Sequence, residues 1–205
     1  MQDLHRALAD ISAIRDQMAR GTVFRGYGPA ALAATGLLAL LAAVIQAQWI
    51  DDPARDIDTY LTLWIATAGL AILIVGGEAV RRSRREHDGL ADDMLRGAAE
   101  QFLPAAIAGV LLTLVLVRTA DAPLWMLPGL WQILFSLGVF GSCRSLPRPM
   151  IAIAVWYLAT GLACLAFASG AHALSPWAMG VPFLVGQTLA AFVLKRSFGG
   201  GDGET

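Results

Sequence analysis

The chain has 205 residues, 57% of them hydrophobic and 15% charged, with a mean hydropathy of +0.60, a balance foreign to a soluble globular domain. Its 15 basic and 16 acidic residues nearly cancel, which leaves no basic excess for holding nucleic acid by its phosphates. The expectation is one all-α membrane bundle, with the lipid bilayer as its surroundings, no nucleic-acid partner and no stretch long enough for a separate catalytic domain.

Residues 1–28 come first. Leu4, Ala7, Ile11, Ile14 and Met18 recur at alternating three- and four-residue spacing, and Leu8 widens the stripe, the pattern of an amphipathic helix. A helix lying on anionic lipid is usually basic on its polar face, yet here Asp3, Asp10 and Asp16 balance Arg6, Arg15 and Arg20. That neutrality predicts that Leu4, Leu8, Ile11, Ile14 and Met18 form a cytoplasmic contact face for protein, either a partner or another copy. The segment lacks the charged start, apolar run and small-residue cleavage site of a secretory signal, so the first span is expected to be an uncleaved signal anchor.

Six apolar stretches then meet the length set by a ~30 Å hydrocarbon core. They fall at about 29–50, 60–80, 102–117, 124–143, 150–169 and 177–194. The third is the shortest and gains length from Gln101 and from 118–120, with Arg118 snorkelling to the interface. A transmembrane domain over 29–196 results, interrupted by a cytoplasmic loop at 81–101 and followed by a flexible Gly-rich tail at 197–205.

Sorting the basic residues between alternate connections fixes the expected orientation, since these are retained on the cytoplasmic side. With the N-terminus inside, only Arg55 and Arg118 of the 15 fall outside. Trp49, Tyr60, Trp125 and Trp177 fall at the outer ends, where an aromatic belt is expected. Both termini are therefore placed in the cytoplasm of a multi-pass protein. Arg supplies every basic residue except Lys195 in an Ala-rich chain, which suggests a GC-rich bacterial genome and hence the bacterial inner membrane. Cys143 and Cys164 lie in apolar runs and read as small buried residues rather than a disulfide.

Each successive pair of spans goes out, turns within a few residues and returns to basic residues, so the sequence predicts three helical hairpins. A repeat supports this. Leu8-Ala9-Asp10, Met18-Ala19-Arg20-Gly21 and Pro29-Ala30-Ala31 recur as Leu90-Ala91-Asp92, Met94-Leu95-Arg96-Gly97 and Pro104-Ala105-Ala106. Trp125, Pro128 and Gln132 in the fourth span are likewise matched by Trp177, Pro182 and Gln187 in the sixth. The second lead-in, with Leu90, Met94, Leu95 and Ala98, predicts a further cytoplasmic amphipathic segment able to cap the first. In layout alone the plan resembles the small bacterial acid-resistance membrane proteins; no shared motif carries the likeness, and no function follows from it.

Chemistry is sparse. Glu78 is the only acidic residue inside a span, one turn from the cytoplasmic end and four residues before Arg82, the order that favours a helical ion pair. No buried lysine suits a Schiff base and no histidine pair suits haem. The acidic and histidine residues of 86–93 lack a ligand spacing, so neither metal nor cofactor is expected. Gln132 and Ser136, Thr160, and Gln187 with Thr188 are candidates for an intramembrane polar cavity, with interhelical bonding as the competing expectation. No catalytic constellation is present, so no enzyme is expected. The reading is a membrane-embedded binding or regulatory component acting through its cytoplasmic helices. The alternative is a passive carrier or channel for a small uncharged or weakly polar solute.

Overall fold

The computed structural model describes residues 28–86, 89–119, 122–143 and 149–199, with side chains described outside 82–99, 171 and 197–199. Regular structure among these residues is entirely helical: α1 (Pro29–Trp49), α2 (Ile57–Glu86), α3 (Gly89–Arg118), α4 (Leu127–Ser142), α5 (Met150–Phe167) and α6 (Trp177–Gly199). Single 3-10 turns at Leu124–Met126 and Gly170–His172 lead into α4 and join α5 to α6. Six stretches are long and apolar enough to cross a membrane, one in each of the six helices, with the fourth made by α4 and the 3-10 turn before it over Leu124–Ser142, so the chain is a multi-pass membrane protein. The amphipathic segment and contact face expected over residues 1–27 lie outside the described residues.

Local sequence accounts for the helix ends. Pro29 opens α1 after Gly28, which is extended; proline fits a first turn because its missing N–H would have no helical partner there. At the α1–α2 turn the Asp52 carboxylate accepts the amides of Ala54 (3.2 Å) and Arg55 (3.3 Å). Asp56 then accepts the Thr59 amide (3.4 Å) and caps α2.

The helices α2 and α3 each have 30 residues, about 45 Å at 1.5 Å per residue. This exceeds the ~30 Å of hydrocarbon. The stretch 81–101, which reads in sequence as a loop, is accordingly helical on both sides of residues 87–88.

Packing places α1, α4, α5 and α6 at the centre. The most extensive contacts join α1 to α6 and α4 to α5; α2 rests on α1, α3 rests on α4, and α2 and α3 meet only slightly. No residue in the apolar window of α3 is buried. Two apolar clusters fill the interior. One contains Ala39, Ala43, Tyr60, Trp64, Leu127 and Met179; the other contains Met150, Ile153, Tyr157 and Ala190; Phe183 packs against both.

Glycines set the closest approaches. A Cβ on Gly161 would lie 2.8 Å from the Gly129 carbonyl oxygen, and one on Gly129 would lie 2.8 Å from that of Gly161. The α4 and α5 backbones therefore touch at a Gly–Gly crossing, the use of small residues expected between membrane helices.

Candidate functional site

Polar side chains within the spans define the candidate site, because lipid offers them no partner and each must be satisfied inside the protein. Nearest the end of the bundle opposite the arginine-rich one, Gln46 of α1 joins two other elements. Its Oε1 accepts the Trp64 indole N–H (2.8 Å) and its Nε2 donates to the Leu174 carbonyl (2.7 Å). Leu174 is buried at φ 54°, a left-handed conformation costing a non-glycine residue about 1–2 kcal/mol. This conformation presents its carbonyl to Gln46 while its side chain enters the core.

Deeper, Gln132 answers a defect in α6. Pro182 has no N–H, so the Ala178 carbonyl four residues earlier loses its helical donor. Gln132 Nε2, reaching across from α4, donates to that carbonyl at 2.8 Å. It also lies 3.2 Å from the Pro128 carbonyl of its own helix. One turn on, the Ser136 hydroxyl donates to the Ala154 carbonyl of α5 (2.7 Å). The Trp156 indole donates to the Pro182 carbonyl (3.0 Å), tying α5 to α6.

Aromatic rings fill the space between these bonds. Phe102, Phe135, Tyr157 and Phe183 run from α3 through α4 and α5 to α6, with successive centroids 5.4, 4.7 and 5.0 Å apart. A side chain on Gly186 would occupy the Tyr157 ring. Gln187 is a polar neighbour of the Tyr157 hydroxyl, at a geometry short of a hydrogen bond.

Tyr60 corrects the sequence reading. It is fully buried and stacks on Trp131 at 6.4 Å, instead of joining an interfacial belt. Three buried polar atoms have no hydrogen-bonding partner among the described residues: Tyr60 Oη, Tyr157 Oη and Gln132 Oε1.

The five polar candidates are thus unequally placed. Gln132 and Ser136 are buried in α4 and bond to carbonyls of neighbouring helices, while Gln187 is buried at the α1–α6 contact, where its Cβ lies 3.1 Å from the position a Gly36 Cβ would take. Thr160 and Thr188 turn back onto their own helices, bonding the carbonyls of Trp156 (3.0 Å) and Leu184 (2.7 Å), and Thr188 is exposed. Gln46, Trp64 and Tyr60 belong with the buried set. The signal for Tyr60 and Trp64 is the spacing Ile57, Tyr60, Leu61, Trp64, which puts the aromatic pair on one helical face; Gln46 carries no such signal.

Glu78 lies beside Gly28, its Cγ 3.0 Å and Oε1 3.2 Å from where a Cβ would stand. The carboxylate thus sits at the N-terminus of α1, where the helix dipole favours negative charge. The side chain of Arg82, its expected ion-pair partner, lies outside the described residues. Among the described residues no group of His, Cys, Asp and Glu could hold a metal.

Set beside known proteins, the chain matches no family model, no curated protein and no solved structure.

Proposed function

We propose that this chain is a non-enzymatic component of the bacterial inner membrane, with both termini cytoplasmic, that binds or regulates a partner protein or a second copy through helices at its arginine-rich end. The observation that carries this reading is the length of α2 and α3, whose 30 residues exceed what a crossing requires. Their surplus turns include Arg81 on one side and Leu90, Met94, Leu95 and Ala98 on the other. Those four recur at helical spacing in a sequence with acidic surroundings, a pattern suited to protein contact and ill suited to anionic lipid. Three hairpins, with the amphipathic N-terminal helix against this second segment, form the proposed arrangement.

Limited proteolysis and oligomeric state test it in the full-length protein. Ile11→Asp with Ile14→Asp is expected to expose the arginine-rich end to protease and to shift the oligomeric state. Unchanged cleavage and an unchanged assembly would count against the contact face.

The unpartnered buried oxygens of Gln132 and Tyr60 favour a second reading, a passive carrier or channel for a small uncharged or weakly polar solute. Solute efflux from proteoliposomes, abolished by Gln132→Leu, would put that reading first. Against it, Gln132 and Ser136 already spend donors on backbone carbonyls.

A further inference from the structure

One side of α3 carries a ridge that nothing in the chain covers. Leu103, Ile107, Val110 and Leu114 recur at four- and three-residue spacing and are all exposed, so they share a face of bulky side chains. That face runs from Glu100 at the arginine-rich end to Arg118 at the other, both exposed.

α2 presents the converse. Thr62, Ala66 and Gly69 are exposed along one face, and a Cβ on Gly69 would stand in open space, so this face is low where that of α3 is raised. Asp58 begins it and Arg81 closes the apolar stretch, both exposed. Charge therefore runs in opposite senses along the two helices, and side by side in one membrane each end meets its opposite sign. The faces also agree in register. Asp58 with Arg118, Ala66 with Val110, and Gly69 with Ile107 each lie within one residue of equal distance from the break at 87–88 between the helices. Yet within the chain α2 and α3 meet only slightly, and among the described residues neither Asp58 nor Arg118 enters an ion pair.

We propose that a second copy of the chain covers these faces, its α3 ridge seated on the low face of α2 with Arg118 against Asp58. Because α2 and α3 adjoin across two residues, a two-fold axis along the membrane normal lets both α2–α3 contacts form at once and closes the assembly at two copies. Apolar area alone does not draw helices together among lipid tails that are equally apolar; the fit of large side chains onto small ones does. Opposite charges then select the partner and its register. The inference rests on the second-copy form of the reading above and carries it along the same two helices into the membrane.

Disulfide cross-linking in native membranes tests it, with Cys143 and Cys164 replaced by alanine. Two differently tagged copies are coexpressed, one carrying Ala66→Cys and the other Val110→Cys, and then oxidised. A disulfide needs Cβ atoms about 3.5–4.5 Å apart, so the expected result is a product bearing both tags. Its yield should stand severalfold above that of a Leu41→Cys and Val110→Cys pair, Leu41 being exposed on α1. Asp58→Arg in both copies should lower the yield severalfold, and adding Arg118→Asp should restore it.

A yield no higher than the Leu41→Cys control would overturn the pairing, as would a yield that the charge exchange fails to restore. A cross-link formed only when one chain carries both cysteines would overturn it too, by closing the hairpin on itself. Oxidation precedes extraction, which keeps the two contacts separable. A two-tag product alongside an assembly indifferent to Leu90→Asp/Met94→Asp would uphold this pairing and sink the contact at the arginine-rich end. An assembly dispersed by those substitutions, with no two-tag product in their absence, would do the reverse.

Discussion

Gly161 and Gly76 are the same residue in opposite settings. Gly161 faces the Gly129 backbone at a distance that excludes a Cβ, while Gly76 on the outer side of α2 has open space. Gly161→Ala is therefore predicted to destabilise the protein by about 1–3 kcal/mol, the cost of overpacking. Gly76→Ala should be neutral or should stabilise by up to about 1 kcal/mol through helix propensity. Thermal unfolding in detergent compares the two directly. Nothing in the sequence separates these glycines, since both lie in apolar runs; which one is touched depends on a neighbouring helix. Thr160 and Thr188 show the same limit. A threonine in a span reads as a polar candidate, yet its hydroxyl can bond the carbonyl four residues back and need nothing further.

At the scale of elements, Pro182 and Gln132 act as one unit. The sequence displays them as matching features of two spans, proline and glutamine after tryptophan, which reads as a repeat. The structure joins the proline of one span to the glutamine of the other through the Ala178 carbonyl. This implies coupling. Gln132→Leu is predicted to cost about 1–3 kcal/mol in the wild-type protein by orphaning that carbonyl, and less in a Pro182→Ala background, where the restored amide of residue 182 can bond it. A double-mutant cycle measured by unfolding checks this; additive costs would mean that Gln132 does not repair the helix. Span positions were legible because twenty apolar residues suffice to identify a crossing. The cross-helix bond was not, because periodicity identifies a buried face without identifying what that face meets.

Across the whole molecule, α1 and α6 pack together at the centre, and α2 and α3 stand outside with wide apolar faces. The proposed orientation puts both termini and the arginine-rich end on the cytoplasmic side, as the retention of basic residues there would have it. With Cys143 and Cys164 replaced by alanine, a membrane-impermeant maleimide applied to intact cells is predicted to label Ser175→Cys, in the α5–α6 turn. Ser197→Cys should react only after permeabilisation, and the reverse pattern would invert the orientation.

The central claim is that the surplus turns of α2 and α3 hold another protein. Native mass spectrometry of the full chain, extracted gently from its own membrane, tests it most directly when wild type is compared with Leu90→Asp/Met94→Asp. The account predicts an assembly heavier than one chain for wild type and a single chain for the variant, with both proteins folded. A single chain in both, or an assembly that survives the substitutions, would contradict it.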